Sequence, residues 1–234
     1  MTAPSLAVIG VPGFPEIVPG SNLGELLAAQ APLEGGDIVV VTQKIVSKAE
    51  GRLVPVDPAD PEAKRRLAES EARRILRRRG ELVVTETRHG FVCASSGVDL
   101  SNVEEGFAVL LPVDPDRSAR GIRAAIRARR GLEVGVIVSD TFGRAWRRGL
   151  VDVAIGCAGV AAIVDLRGSL DGSGRLLVAT EMCIADEIAA AAELVMGKAA
   201  HVPVAIVRGA DASWLRESSV AAEIVRPPGE DLFR

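Results

Sequence analysis

VGVIVSDTFGRAWRRGLVDVAIGCAG, from Val134 to Gly159, sets two apolar runs on either side of a polar, cationic segment. Val134 to Val138 is β-branched and apolar, which predicts a buried strand. It stops at Ser139, Asp140 and Thr141, and Gly143 follows. Arg144, Arg147 and Arg148 come next, with Trp146 among them and Gly149 after. A second apolar run, Val151 to Ile155, ends at Gly156. On this reading a buried strand delivers an acid and a hydroxyl to a cationic loop. Strand stability does not require such an ending, whereas a site for a metal and a polyanion does.

The flanking chain supplies a soluble, globular context: 234 residues, 48% hydrophobic, 25% charged, with a formal net charge of -3. Aromatics are 3% and Tyr is absent, so the core must be built from Val, Ile, Leu and Ala. So few rings argue against a base-stacking platform for single-stranded nucleic acid. Arginines cluster at Arg73 to Arg79, Arg127 to Arg130 and Arg144 to Arg148. The first two clusters read as solvated helix faces; the third sits beside Asp140. Cys93, Cys157 and Cys183 are isolated, without CxxC spacing, as expected of reduced thiols in the cytoplasm. No apolar run reaches transmembrane length.

Outward from the central stretch, strands are predicted at Leu6 to Val11, at Ile38 to Thr42, and at Phe107 to Leu111. Others fall at Glu81 to Thr87 and Phe91 to Ser95, spaced as a hairpin, and at Val202 to Val207. Ala161 to Leu166 and Leu176 to Thr180 are two more, joined by a turn at Asp171 to Gly174. Helices are predicted from Ser21 or Asn22 through Gln30, from Glu62 to Arg79 as the longest, from Ser118 to Arg130 and from Ala185 to Met196. Runs of strands mixed with strand-helix alternation favour α+β, with mixed or antiparallel sheets and flanking helices, over a doubly wound sheet. Neither GxGxxG nor GxxxxGK[ST] occurs, so the usual dinucleotide and P-loop solutions are excluded. The tail contains Pro227, Pro228 and Gly229 and reads as a linker.

Several constellations can carry chemistry. Asp99 in GVDLSN and Asp140-Thr141 in SDTFGR each follow an apolar strand. Two carboxylates with hydroxyls and phosphate oxygens suit magnesium; an Asp at a strand end equally caps a turn. Lys44 and Lys48 lie four apart in QKIVSKAEGR, a turn closed by Gly51. They suit a phosphate, or are two exposed lysines. The loop Pro12 to Glu16 is rigid and reads by itself as a strand terminator. Glu181, Asp186 and Glu187 suit a helix N-terminus, with a metal role as the alternative. MGKAAHVP, residues 196–203, leads from a helix end to a strand. Together these point to a metal-dependent enzyme acting on a phosphate-bearing substrate.

Longer segments carry a resemblance. VPGFPEI, VVVTQKIVSKAEGR, SSGVDLSNVEEG, the central stretch, TEMCIADEIAAAAELVMGKA and VPVAIVRG span most of the chain. In these it resembles the γ-glutamyl ligases that elongate the deazaflavin coenzyme F420. The resemblance implies a GTP-dependent ligase that phosphorylates the acceptor's terminal carboxylate. The amine of L-glutamate then attacks the acyl phosphate. It further implies two magnesium or manganese ions per site, help from potassium, and an α+β fold of the family's own in an intertwined homodimer. Carried over by position, Asp99 and Asp140 would ligate one metal and Thr141 the second. Gly13, Phe14, Pro15, Glu16, Gln43, Lys44, Lys48 and Asn102 would contact GTP. So would the loop Met196, Gly197, Lys198, Ala199, Ala200, His201, Val202 and Pro203. Some members have an acid, a second-metal ligand, where this chain has Lys198. Arg144, Arg147 and Arg148 are candidate catalytic residues, to hold the acceptor or stabilise the transferring phosphoryl group. The expected layout is a ligase domain at 1–222, divisible into two subdomains. Residues 223–234 would be a tail, or a linker to a flavin-binding reductase domain. No nucleic acid or membrane is expected as partner.

Overall fold

The computed structural model describes residues 4–231; 1–3 and 232–234, the ends of the expected domain and tail, lie outside it. In chain order the elements are β1 (Ala7–Val11), α1 (Leu23–Gln30), β2 (Ile38–Thr42), α2 (Gln43–Ala49), β3 (Leu53–Pro55) and α3 (Ala63–Glu71). They continue with β4 (Ala72–Arg79), β5 (Leu82–Thr87), β6 (Val92–Ala94), β7 (Phe107–Val109), α4 (Pro115–Arg130) and β8 (Gly135–Arg144). The last are β9 (Arg147–Ala158), β10 (Val164–Asp165), β11 (Glu181–Met182), α5 (Ile184–Met196), β12 (Val204–Arg208) and α6 (Val220–Glu223). The fold is α+β. Among the described residues no helix is long and apolar enough to cross a membrane.

The main sheet runs β1-β12-β2-β8-β9. Only β2 and β8 are parallel, with Ile38 beside Gly135 and Thr42 beside Ser139; every other pair is antiparallel. The central strands are apolar on both faces because both are covered. Val39, Val41, Val136 and Val138 face α1 and α4, while Ile38, Val40 and Ile137 face α5. Ile122 and Ile126 of α4 lie in the first core, each contributing about 1.5–3 kcal/mol by leaving water. Two glycines permit close packing of α4 against its neighbours. A Cβ on Gly24 would lie 2.4 Å from Cβ of Ala125, and one on Gly156 would lie 2.3 Å from the carbonyl carbon of Pro115. Asn22 caps α1 through Oδ1, which accepts from the Glu25 N–H at 3.1 Å.

A smaller unit covers one end of this sheet. β4-β5-β6 form an antiparallel sheet and β3 pairs with β7, around a core of Ala68, Val98, Ala108 and Leu110. Here the expected long helix is corrected. It ends at Glu71, and Ala72–Arg79 is a strand paired with β5. The pairing satisfies the backbone and sets Glu86 opposite Arg74, 3.4 Å away, which outweighs the local helical pattern. The expected strand at 176–180 is not formed either. Only an isolated bridge joins Leu170 to Leu176, and the short strand that does form is β11. At the C-terminal end, residues 222 and 223 lie inside α6, and Ile224 and Val225 pack on the α5 side of the sheet.

The central stretch is also corrected. The strand does not stop at Ser139; it runs on to Arg144 and returns as β9. A bulge between Val138 and Ser139 marks where this long hairpin leaves the sheet. Trp146 stands at its tip, 91% exposed.

Candidate active site

A cavity of about 600 Å³ opens where the small unit meets the end of the main sheet. Five separated segments build it. The loop after β1 brings Phe14, Pro15 and Glu16. Helix α2 brings Gln43, Lys44 and Lys48. The turn after β6 brings Asp99, Ser101 and Asn102. The hairpin and the loop after α5 bring Asp140, Thr141, Asp152, Gly197, Lys198, His201, Val202 and Pro203.

The lysines lie on a helix rather than the expected turn, and their spacing of four puts both on one face. Each holds a carboxylate: Lys44 Nζ lies 2.8 Å from Asp99 Oδ2, and Lys48 Nζ 2.6 Å from Glu16 Oε1. Asp99 is fixed by backbone bonds in both directions with Val109 and by the Ser101 N–H, which donates to its Oδ1 at 2.8 Å. Burial opposes its ionisation, but the Lys44 ammonium and the Ser101 donors outweigh burial and hold the carboxyl below its ordinary range. Gln43 is buried, and its Oε1 accepts from Ser47 Oγ at 2.9 Å. Its buried Nε2 has no hydrogen-bond partner among the described residues. An unpaired buried donor is costly, which suits a ligand acceptor.

Asp140 lies deeper. Withdrawal from water, with the Asp152 and Asp99 carboxylates near, pushes its carboxyl up to about 7, against the Thr141 N–H and Lys198. Asp152 sits across from Thr141 in the hairpin register. It is 2% exposed, and its carboxylate accepts from Ser139 Oγ at 3.0 Å and from Thr141 Oγ1. Lys198 Nζ donates to Thr141 Oγ1 and lies 3.5 Å from both Asp152 Oδ1 and Glu193 Oε1. Asn102 Nδ2 donates to the Lys198 carbonyl at 3.3 Å, joining two loops that are 96 residues apart.

The remaining candidates fall elsewhere. Gly13 precedes the cavity loop without lining it, and Ala199 and Ala200 are exposed outside it. Met196 is buried among Ile188 and Ala192 on the α5 side of the sheet, turned from the cavity. Arg144, Arg147 and Arg148 stand at the exposed hairpin tip and do not line the cavity. Glu181 and Glu187 do not line it either, and Asp186 accepts from the Ala154 N–H at 2.9 Å as a structural clasp. Two further acids, Asp152 and Glu193, line the cavity. Asp152 was signalled by a lone carboxylate in an apolar strand, which must find partners. Glu193, in a helix of alanines, carried no comparable signal.

The donors suit a hard divalent ion: carboxylate and hydroxyl oxygens, with Asp140 raised by neighbours that a cation would offset. Among the described residues no three His, Cys, Asp or Glu side chains converge to cage an ion. An ion held by two carboxylates, with water and phosphate oxygens completing its shell, matches that donor set.

The site is a cavity on an α+β scaffold in which lysines are paired with carboxylates. Residues 13–209 match the family model described as F420-0:Gamma-glutamyl ligase. The chain is 42% identical over 248 residues to the coenzyme F420:L-glutamate ligase of Methanopyrus kandleri, covering 99% of this chain and 98% of that one. It is 41% identical over 249 residues to the enzyme of that name from Methanothermobacter thermautotrophicus, covering 98% and 99%. With that of Methanocaldococcus jannaschii it shares 42% over 228 residues, covering 91% and 90%. The chain belongs to the F420-0:gamma-glutamyl ligase family and is a ligase.

Proposed function

We propose that this chain joins L-glutamate to the deazaflavin precursor of coenzyme F420, with GTP as phosphoryl donor and an acyl phosphate as intermediate. The observation that carries the reading is the convergence of Lys44, Lys48, Asp99 and Asp140 on one cavity in a member of this ligase family. Lys44 and Lys48 bind the polyphosphate as point charges, and the free Gln43 Nε2 donates to the nucleotide. Asp99 and Asp140 would hold magnesium or manganese, which neutralises phosphate oxygens. The acceptor's carboxylate oxygen attacks the γ-phosphorus, and the bond to the bridging oxygen breaks to release GDP. The amine of glutamate then attacks the acyl carbon and loses a proton; phosphate departs with the bonding pair. The chain's contribution is to align these groups and exclude water.

A homodimer accounts for the hairpin tip. Trp146 and Leu150, 91% and 69% exposed, meet a second copy, and Arg144, Arg147 and Arg148 act at that junction. Mass spectrometry of the acceptor after incubation with GTP, magnesium, potassium and L-glutamate tests the reaction. One added glutamyl residue is expected; an unchanged acceptor beside bound GTP and metal rules the proposal out.

A further inference from the structure

We propose that Lys198 is a built-in substitute for a second divalent cation, so that this site takes one ion, at Asp99 and Asp140, and not two. The inference rests on the metal-dependent reading above. Thr141 on β8, Asp152 on β9 and Glu193 on α5 converge on a single point, and the Lys198 ammonium occupies it. Its nitrogen lies 3.5 Å from Asp152 Oδ1 and 3.5 Å from Glu193 Oε1 and donates to Thr141 Oγ1.

The hydrogen bonds are consistent around the ring. The Thr141 hydroxyl donates its one proton to Asp152 Oδ1 and accepts from the ammonium. An ammonium has three donors and no acceptor, and three oxygens face it here. The Asn102 side chain holds the Lys198 carbonyl from the opposite loop, which fixes the backbone from which the side chain reaches in. A dication among these oxygens would meet the ammonium at contact distance. Asp140 differs: among the described residues no salt bridge joins it to a lysine or arginine, whereas Asp99 keeps Lys44 on its Oδ2 at 2.8 Å. The protein therefore supplies positive charge at Thr141 and Asp152, and the Asp140 carboxylate is the one left to a metal, with Asp99 beside it.

The test counts Mn2+ bound to the full-length protein by equilibrium dialysis, with electron paramagnetic resonance of the bound ions. Wild type is expected to bind one ion per chain. Lys198→Glu, which exchanges the ammonium for a third carboxylate, is expected to bind two, with the broadened spectrum of neighbouring manganese ions. Lys198→Ala, which only vacates the point, gains a second, weaker ion and keeps the test readable if the Glu variant misfolds. Two ions in wild type, or a count that stays at one in the folded variants, overturns the proposal and leaves the ligase reading intact. No ion in wild type overturns the metal role of Asp99 and Asp140 and this proposal with it. Glutamyl transfer, assayed separately, decides the ligase reading.

Discussion

The Lys44 ammonium lies 2.8 Å from Oδ2 of Asp99, and this pair ties the turn of the small unit to the helix that follows β2. Lys44 also reaches Ser101 Oγ at 2.6 Å. The same charge thus orients a metal-ligand candidate and faces the space assigned to phosphate. Lys44→Ala is expected to raise KM for GTP roughly ten- to a hundredfold, since a hydrogen bond to a charged group contributes about 1.5–3 kcal/mol. Steady-state kinetics with varied GTP checks it; an unchanged KM removes Lys44 from the nucleotide site.

Asp140→Asn separates function from stability. The carboxylate is held up to about 7 by burial and by Asp152 and Asp99, so its ionised form is disfavoured where it stands. A neutral amide of the same shape relieves that cost. Turnover is expected to fall by at least about a hundredfold, as for loss of a transition-state electrostatic group. The melting temperature at pH 8 is expected to stay level or rise. Retained turnover contradicts the metal role; a collapsed fold contradicts the account of its burial.

The strands of the main sheet were legible because their apolar runs carry their own burial: IVVVT at 38–42 and GVIV at 135–138 are central strands in the structure. Two features were not. ARRILRRR has a helical pattern, and only pairing with β5 makes it a strand. SDTFGR ends in glycine and arginine, which read as a loop, yet pairing with β9 extends it to Arg144. Both depend on partners the local pattern does not contain. At the site, Asp99, Asp140 and the lysines stood out as acids and bases next to strand ends. Asp152 carried a signal as a lone carboxylate in an apolar strand, but its partners came only with the register that sets it across from Thr141.

The hairpin tip gives a test of assembly. Trp146 is exposed at the tip of the hairpin, and Leu150, also exposed, borders the cavity. Light scattering of the intact protein is expected to give twice the 24.5 kDa chain mass, and Trp146→Glu is expected to return it to one. A monomeric wild type removes the homodimer.

The acid limb of stability involves Glu223. The Arg216 guanidinium, at 2.7 and 2.8 Å to its two oxygens, holds this carboxyl below its ordinary 4.5 despite burial. Between the folded value and 4.5 the unfolded chain carries more protons, so stability rises with pH there. The contribution is complete above 4.5 and is lost as pH falls through the folded value. Glu223→Gln is expected to flatten this limb in urea titrations and to cost about 1 kcal/mol or less at pH 7. An unaltered acid limb contradicts the pairing.

The central claim is that this cavity couples GTP cleavage to amide formation. The most direct measurement follows phosphate release and glutamylated product together, with GTP and ATP in parallel and with glutamate or acceptor withheld in turn. The account predicts one phosphate per glutamyl residue added, with GTP preferred and release dependent on the acceptor. Phosphate released at full rate without glutamate and acceptor, and with no product, would instead identify a phosphohydrolase and contradict the claim.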